Sequence, residues 1–224
     1  MYAAMVESID DSVGRVLQAL RRKNIEQKTV IIFTSDNGGF YKATSNAPLR
    51  ANKGSYYEGG IRVPLIVKWP GVTAAGRTVD DPVISNDLYP TCLAVAGLDQ
   101  NPVQHMDGVN LQPLLAGEGS LPSRSLFWHF PHYNKHPSSV PSSVIRKGDW
   151  KLIETFDPTG VELYNLANDL GETTNLAEQD PPLRDTLLQE LELWRRSVGA
   201  ERMLPNPAYR ATPEIRRKVN RRKD

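Results

Sequence analysis

The sequence predicts an α/β fold that passes into a small α+β unit with an antiparallel sheet and a closing helix. Three observations carry this. The first is an amphipathic helix followed by two apolar runs that flank a long glycine-rich loop. The second is a change of texture near Gly97, after which short alternating segments are punctuated by turn residues. The third is a late helical stripe formed by Leu183, Leu187, Leu191, Trp194 and Val198.

Residues 2–23 place Met5, Ile9, Val13, Val16 and Leu20 at spacings of three and four, which makes one apolar helical face. Residues 29–34 do not alternate, so they read as a strand buried on both faces. Residues 63–69 form a second strand that stops at Pro70 and Gly71, and residues 86–96 a helix closed by Gly97. The stretch 98–123 is rich in Gly, Pro, Asp and Gln and reads as a connection. Residues 125–130 are a strand, and residues 143–146 and 150–156 form a hairpin around Lys147, Gly148 and Asp149. Residues 161–166 add another strand and residues 182–198 the closing helix. The expected organisation is therefore a unit over 1–97, a second over 98–210 and a basic tail over 211–224. Arg216, Arg217, Lys218, Arg221, Arg222 and Lys223 give that tail its charge, read here as a solvated end.

Bulk properties narrow the classes. A chain of 224 residues with 39% hydrophobic and 24% charged residues can build a sizeable core. The net charge of +1 argues against a globally basic nucleic-acid binder. A single cysteine rules out an internal disulfide framework, and no apolar run is long enough to span a membrane. Met1 opens directly on an amphipathic helix rather than on a signal peptide, as expected of a start inside a longer protein.

Residues 33–64 concentrate the chemistry. An apolar run ends in Thr34, Ser35, Asp36, Asn37, Gly38 and Gly39, so a strand delivers a carboxylate and a carboxamide side by side at its C-terminal end. Those are hard oxygen donors suited to a hard cation, and the adjacent glycines allow the chain to turn sharply beside it. Lys53 follows in a glycine-flanked loop, a flexible point charge suited to an anionic oxygen in the same crevice. Glu58 and Arg62 are expected to fix this loop through an ion pair rather than to touch a substrate.

SDNGG followed by KGSYYEGGIRVP resembles the second half of the catalytic domain of the sulfatases, within the alkaline phosphatase superfamily. IRKGDWKLI and ELYNLANDLGETTNLA are similar to that family's C-terminal subdomain, so the resemblance extends over about residues 1–210. It implies the C-terminal half of an alkaline-phosphatase-like domain followed by the small α+β subdomain. It also implies Asp36 and Asn37 as ligands of a divalent cation, usually calcium, and Lys53 as a contact to the substrate sulfate. The activity implied is hydrolysis of sulfate esters on aryl alcohols or carbohydrates, in a periplasmic or secreted setting. The alternatives are a phosphate or phosphonate monoester hydrolase of the same superfamily, and a split or non-catalytic relative that binds anionic glycan.

Sulfatases attack sulfur with formylglycine made from the Cys or Ser of a C-x-P-S-R motif. Cys92, in YPTCLAVAG, is not followed by that motif and is expected in the core. Ser120, Leu121, Pro122, Ser123 and Arg124 spell the serine version, but far downstream of Asn37 and leading into a strand, so the match is read as coincidence. Formylglycine and the remaining ligands are thus expected from an N-terminal half that completes the site. His129 and His132, among Trp128, Phe130 and Tyr133, are the candidates for contact with sugar rings.

Overall fold

The computed structural model describes residues 1–134, 139–204 and 206–207. The basic tail and His136 lie outside the described residues. Helix α1 (Tyr2–Arg22) leads through a 3₁₀ turn at Glu26–Lys28 into β1 (Ile31–Thr34), and the long loop after it contains the one-turn helix α2 (Glu58–Ile61). Next come β2 (Leu65–Lys68), α3 (Leu88–Val95) and α4 (Gln112–Ala116). Strands β3 (Ser125–Phe130), β4 (Ser142–Lys147), β5 (Trp150–Phe156) and β6 (Thr159–Asn165) precede α5 (Pro181–Ser197). Both sheets are antiparallel: a ribbon of β1 and β2, and a meander in the order β3-β4-β5-β6.

The meander is a two-faced plate. Its register sets Ile145 opposite Leu152 and Leu152 opposite Leu163, and strand alternation sends these three to one face. There they form the main core with Ala177 and with Leu187 and Leu191 of α5, and Phe127 stacks on Trp194 at 4.7 Å between centroids. Asp180 caps α5 by accepting from the Leu183 amide at 3.1 Å. The opposite face presents Val144, Ile153 and Tyr164, and against it pack Tyr56 and Tyr57 from the loop leading into α2. The glycine-rich loop is therefore docked on the second layer of the protein.

Three expectations are corrected. The β1 strand is not buried on both faces: β2 is its sole hydrogen-bonded neighbour among the described residues, and Phe33 and Ile66 remain 40% and 61% exposed. The apolar stripe of α1 is exposed as well, with Met5, Val6, Ile9 and Val16 open and no residue of the helix buried. Helix α1 is held at its end instead, where Glu26 accepts from Lys68 at 2.6 Å and from Arg21 at 3.1 Å. Cys92 is exposed rather than in the core. The inward side of α3 is carried by Pro90 and Thr91, and the Thr91 hydroxyl donates to the Asp87 carbonyl and accepts from the Leu111 amide. Finally, the 98–123 connection contains α4, whose Leu114 is buried and whose last carbonyls accept from Arg77.

Exposed apolar surface of this extent on one helix and one ribbon drives association. The 224-residue chain is expected to bind the dye ANS and to elute larger than a monomer. Replacing Ile9 with Glu together with Ile66→Lys is expected to lower both signals without lowering the melting temperature. Unchanged dye binding in the double variant would show that these faces are not the sticky ones.

Candidate active-site segment

The SDNGG and YEGG elements, separate in sequence, form one backbone unit. The Gly38 amide donates to the Gly60 carbonyl at 2.9 Å, and the Gly59 amide to the Arg50 carbonyl at 2.8 Å. A Cβ on Gly38 would lie 1.8 Å from the Gly59 oxygen, and one on Gly59 would lie 2.4 Å from the carbonyl oxygens of Arg50 and Ala51. Glycine is needed here so that one backbone can lie directly on another. Asn46 fastens the same place, accepting from the Gly39 amide at 2.9 Å and donating to the Gly39 and Ala51 carbonyls at 3.2 Å. The Lys53 amide donates to the Gly39 carbonyl at 3.1 Å, so the lysine loop is tied to the turn that carries Asp36 and Asn37.

Beneath this unit lies a buried ion cluster. Glu58, Lys151 and Glu172 are essentially inaccessible to solvent. The Lys151 ammonium lies 2.9 Å from Glu58 Oε1 and 2.9 Å from Glu172 Oε1, while Glu172 Oε2 accepts from the Glu58 amide at 2.6 Å. Lys151 comes from β5 and Glu58 from the loop, so the cluster joins the site segment to the meander. Burial raises the Glu172 carboxyl above its usual range, against the pull of Lys151 and the Glu58 amide. A second anchor is Arg50, whose guanidinium lies 3.8 Å from the Tyr57 ring centroid and donates to Tyr164 Oη at 2.8 Å and to the Glu172 carbonyl at 2.6 Å. The Tyr57 and Tyr164 hydroxyls both donate to Glu162, and burial with that acceptor raises both above the ordinary phenol range. Glu58 does pair with Arg62, at 3.7 Å, but its close partner is Lys151. That partner is nearly a hundred positions away, beyond the reach of local sequence reading.

A groove of about 1230 Å³ opens beside the unit, and Asp36, Asn37, Gly54, Tyr56, Arg62, Trp128 and Arg146 are among its lining residues. Asp36 is exposed and Asn37 half-buried, two oxygen donors at the groove end of β1. The Lys53 side chain is exposed and does not line the groove, although Gly54 next to it does. His129 is turned away. Trp128 faces the groove, so alternation along β3 sends His129 to the α5 side. There His129 Nδ1 lies 2.6 Å from Ser143 Oγ and Nε2 lies 2.7 Å from the Glu201 carbonyl. A carbonyl only accepts, so Nε2 carries the proton. His132 is exposed and meets Phe130 edge-on, outside the groove lining. Among the described residues no group of three or more His, Cys, Asp or Glu side chains converges to hold a metal.

The serine motif at 120–124 has a structural explanation. Arg124 makes a two-pronged pair with the fully buried Asp87, Nη1 to Oδ1 at 2.6 Å and Nη2 to Oδ2 at 2.5 Å. Asp87 also accepts from the amides of Ile84 and Val109, so this arginine closes a buried junction between α3 and β3.

A sulfatase family model matches residues 1–98, and a model described as N-sulphoglucosamine sulphohydrolase, C-terminal, matches residues 51–196. The chain belongs to the sulfatase family. A sulfatase of Formosa agariphila is 46% identical over 198 residues, which is 80% of this chain and 36% of that protein. Human N-acetylgalactosamine-6-sulfatase is 36% identical over 133 residues, covering 57% of this chain and 25% of that protein. Among solved structures, Ps i-CgsB in complex with k-i-k-neocarrahexaose superposes with a TM-score of 0.76 at 31% identity, over 99% of this chain and 47% of that one. BT4656 in complex with its substrate D-glucosamine-2-N,6-O-disulfate gives 0.72 at 28% identity, over 85% of this chain and 39% of that one. The chain spans roughly a quarter to a third of the curated sulfatases it matches. The alkaline-phosphatase-like fold read from the sequence is the one its structural neighbours share.

Two outcomes test the ion cluster. Lys151→Met leaves two buried carboxylates facing each other and is expected to cost about 3–5 kcal/mol in urea unfolding. A loss below 1 kcal/mol would mean that the cluster does not anchor the loop. The second concerns pH. A carboxyl raised in the folded state holds its proton longer there than in the unfolded chain. The Glu172 contribution to stability therefore grows as pH falls from its raised folded value towards 4.5, and is least above that window. The stability difference between the wild type and Glu172→Gln is expected to change with pH in that sense and to be flat if the carboxyl is not raised.

Proposed function

We propose that this chain supplies one wall of the active site of a sulfate-ester hydrolase acting on carbohydrate or aryl sulfates. The observation that carries the reading is the single backbone unit formed by SDNGG and YEGG, which ties the Lys53 loop to the turn bearing Asp36 and Asn37. In this reading Asp36 and Asn37 are oxygen ligands of a divalent cation, calcium by preference. Their donor chemistry fits calcium, and as two donors out of the six to eight that calcium takes they are part of a site rather than all of it. When bound, such a cation withdraws charge from the sulfuryl oxygens. Lys53, exposed on its tethered loop, places an ammonium against the sulfate. Tyr56 and Trp128 on the groove wall offer aromatic surface to the alcohol portion, and the groove volume suits a saccharide. The carbohydrate-bound structural neighbours support that choice of substrate. His129 is not included, because both of its ring nitrogens are engaged elsewhere.

The nucleophile, formylglycine in the sulfatases, is proposed to come from outside these residues. Cys92 lies on the exposed side of α3 and is followed by Leu93, Ala94 and Val95. The 224-residue chain alone is expected to leave p-nitrophenyl sulfate unhydrolysed with calcium present. Fused to the N-terminal portion of the Formosa agariphila sulfatase, it is expected to turn over. Lys53→Ala in the fusion is expected to lower kcat/KM by about 10²–10³-fold, the range seen when one preorganised charge-stabilising group is removed. A folded fusion whose turnover is indifferent to Asp36→Ala and Lys53→Ala would overturn the reading.

A further inference from the structure

The groove carries a cationic feature that the proposed cation leaves unexplained. Arg62, just after α2, and Arg146, on β4, both line the groove. Each places Nη1 3.7 Å from Glu58 Oε2, so the two guanidiniums stand no farther apart than twice that distance. Neither contact is a hydrogen bond, and Glu58 Oε2 is buried with no hydrogen-bond partner. Glu58 is already held through Oε1 by Lys151 at 2.9 Å, and Glu172 answers Lys151. The remaining contacts of Arg146 are its Nε donation to the Gly148 carbonyl at 3.3 Å and the attraction of Asp149, exposed at the hairpin. Beyond these two long ion pairs, no Nη group of either arginine makes a hydrogen bond among the described residues, and Arg62 is half-exposed towards the groove. Burial, and the like charge of Arg62, both disfavour the cation of Arg146, a strain that an arriving anion relieves.

We propose that Arg62 and Arg146 form a second anion-recognition point in the groove, taking an acidic group carried by a sugar next to the one whose ester is cleaved. This rests on the reading of the groove as a glycan sulfate site. A guanidinium offers paired donors in a plane and matches the oxygens of a sulfate or carboxylate. Two of them on the same wall as Tyr56 and Trp128 combine charge recognition with ring contact, which a singly charged aryl sulfate would not use. The groove is large enough for more than one sugar. The ligand class is thus a glycan with two or more acidic groups, sulfate ester or uronate.

Isothermal titration of the 224-residue chain with three hexasaccharides tests this: one carrying a single sulfate, one with a second sulfate on the neighbouring sugar, and one with a uronate there. The second acidic group is expected to tighten binding by about tenfold, which corresponds to about 1.4 kcal/mol. The sulfate and uronate arms identify which group is preferred. Arg62→Gln is expected to erase most of the gain and leave the singly sulfated ligand unchanged. Arg146→Lys, which keeps the charge beside Glu58 but loses the fork, is expected to reduce it. Thermal melts establish that each variant is folded, and half-exposed Arg62 can be replaced without opening the core. A gain that is absent, or that survives in both folded variants, overturns the proposal. Failure of the underlying reading looks different: the singly sulfated ligand then binds with no dependence on Asp36→Ala or Lys53→Ala. Should the gain persist there and still vanish in Arg62→Gln, the arginine point stands without the cation site.

Discussion

The Lys151 ammonium is the constraint on which the site segment depends. It is fully buried and holds two carboxylates, one from the loop and one from the segment after the meander. Burying three charges is costly, and attraction offsets that cost only where the geometry is close and the remaining valences are satisfied. Here the Glu58 amide donates to Glu172, while Glu58 Oε2 is met only by the 3.7 Å ion pairs of Arg62 and Arg146. The arrangement has a definite output. A loop of glycines has little side-chain surface with which to hold itself, so its position must be set from outside. The meander does this electrostatically through Lys151 and sterically through Tyr56 and Tyr57, and Arg50 adds a stacked cation above Tyr57. The hydrophobic core on the other face, packed by α5, makes the plate rigid enough to act as the reference.

Much of the fold was legible because it is written at short range. The α1 stripe, the hairpin at Gly148 and the α5 stripe all appear where their periodicity places them. The family was legible because two short elements stand in the right order. What escaped was whatever depends on distant partners. Lys151 reads locally as one more charge on a strand, and its role exists only once Glu58 and Glu172 arrive from elsewhere. Tyr56 and Tyr57 read as loop residues, yet they are the loop's footing on the sheet. Cys92 was misplaced because α3 is short and its inward side is decided by the contact of Thr91 with Leu111, not by apolar character. For His129 the signal is present in the sequence: it follows Trp128 directly on one strand, so parity alone puts the two side chains on opposite faces.

Two kinds of charge-bearing group line the groove. Near β1 the lining offers oxygen donors, which suit a cation; near α2 and β4 it offers guanidiniums, which suit an anion. Both are carried by segments that the Glu58–Lys151–Glu172 cluster and the Gly38–Gly60 contact hold together.

The contact of Gly38 with Gly59 and Gly60 bears on how this segment can change over evolutionary time. No side chain fits at these places, because what lies opposite is main chain, which cannot rotate out of the way. Glycine there is enforced by shape and would be needed even in a descendant that had lost all reactivity. Asp36 and Lys53, by contrast, are exposed and structurally replaceable. A descendant free to change at Asp36 and Lys53 would still keep the glycines, so the glycines record the fold of this segment and not its chemistry.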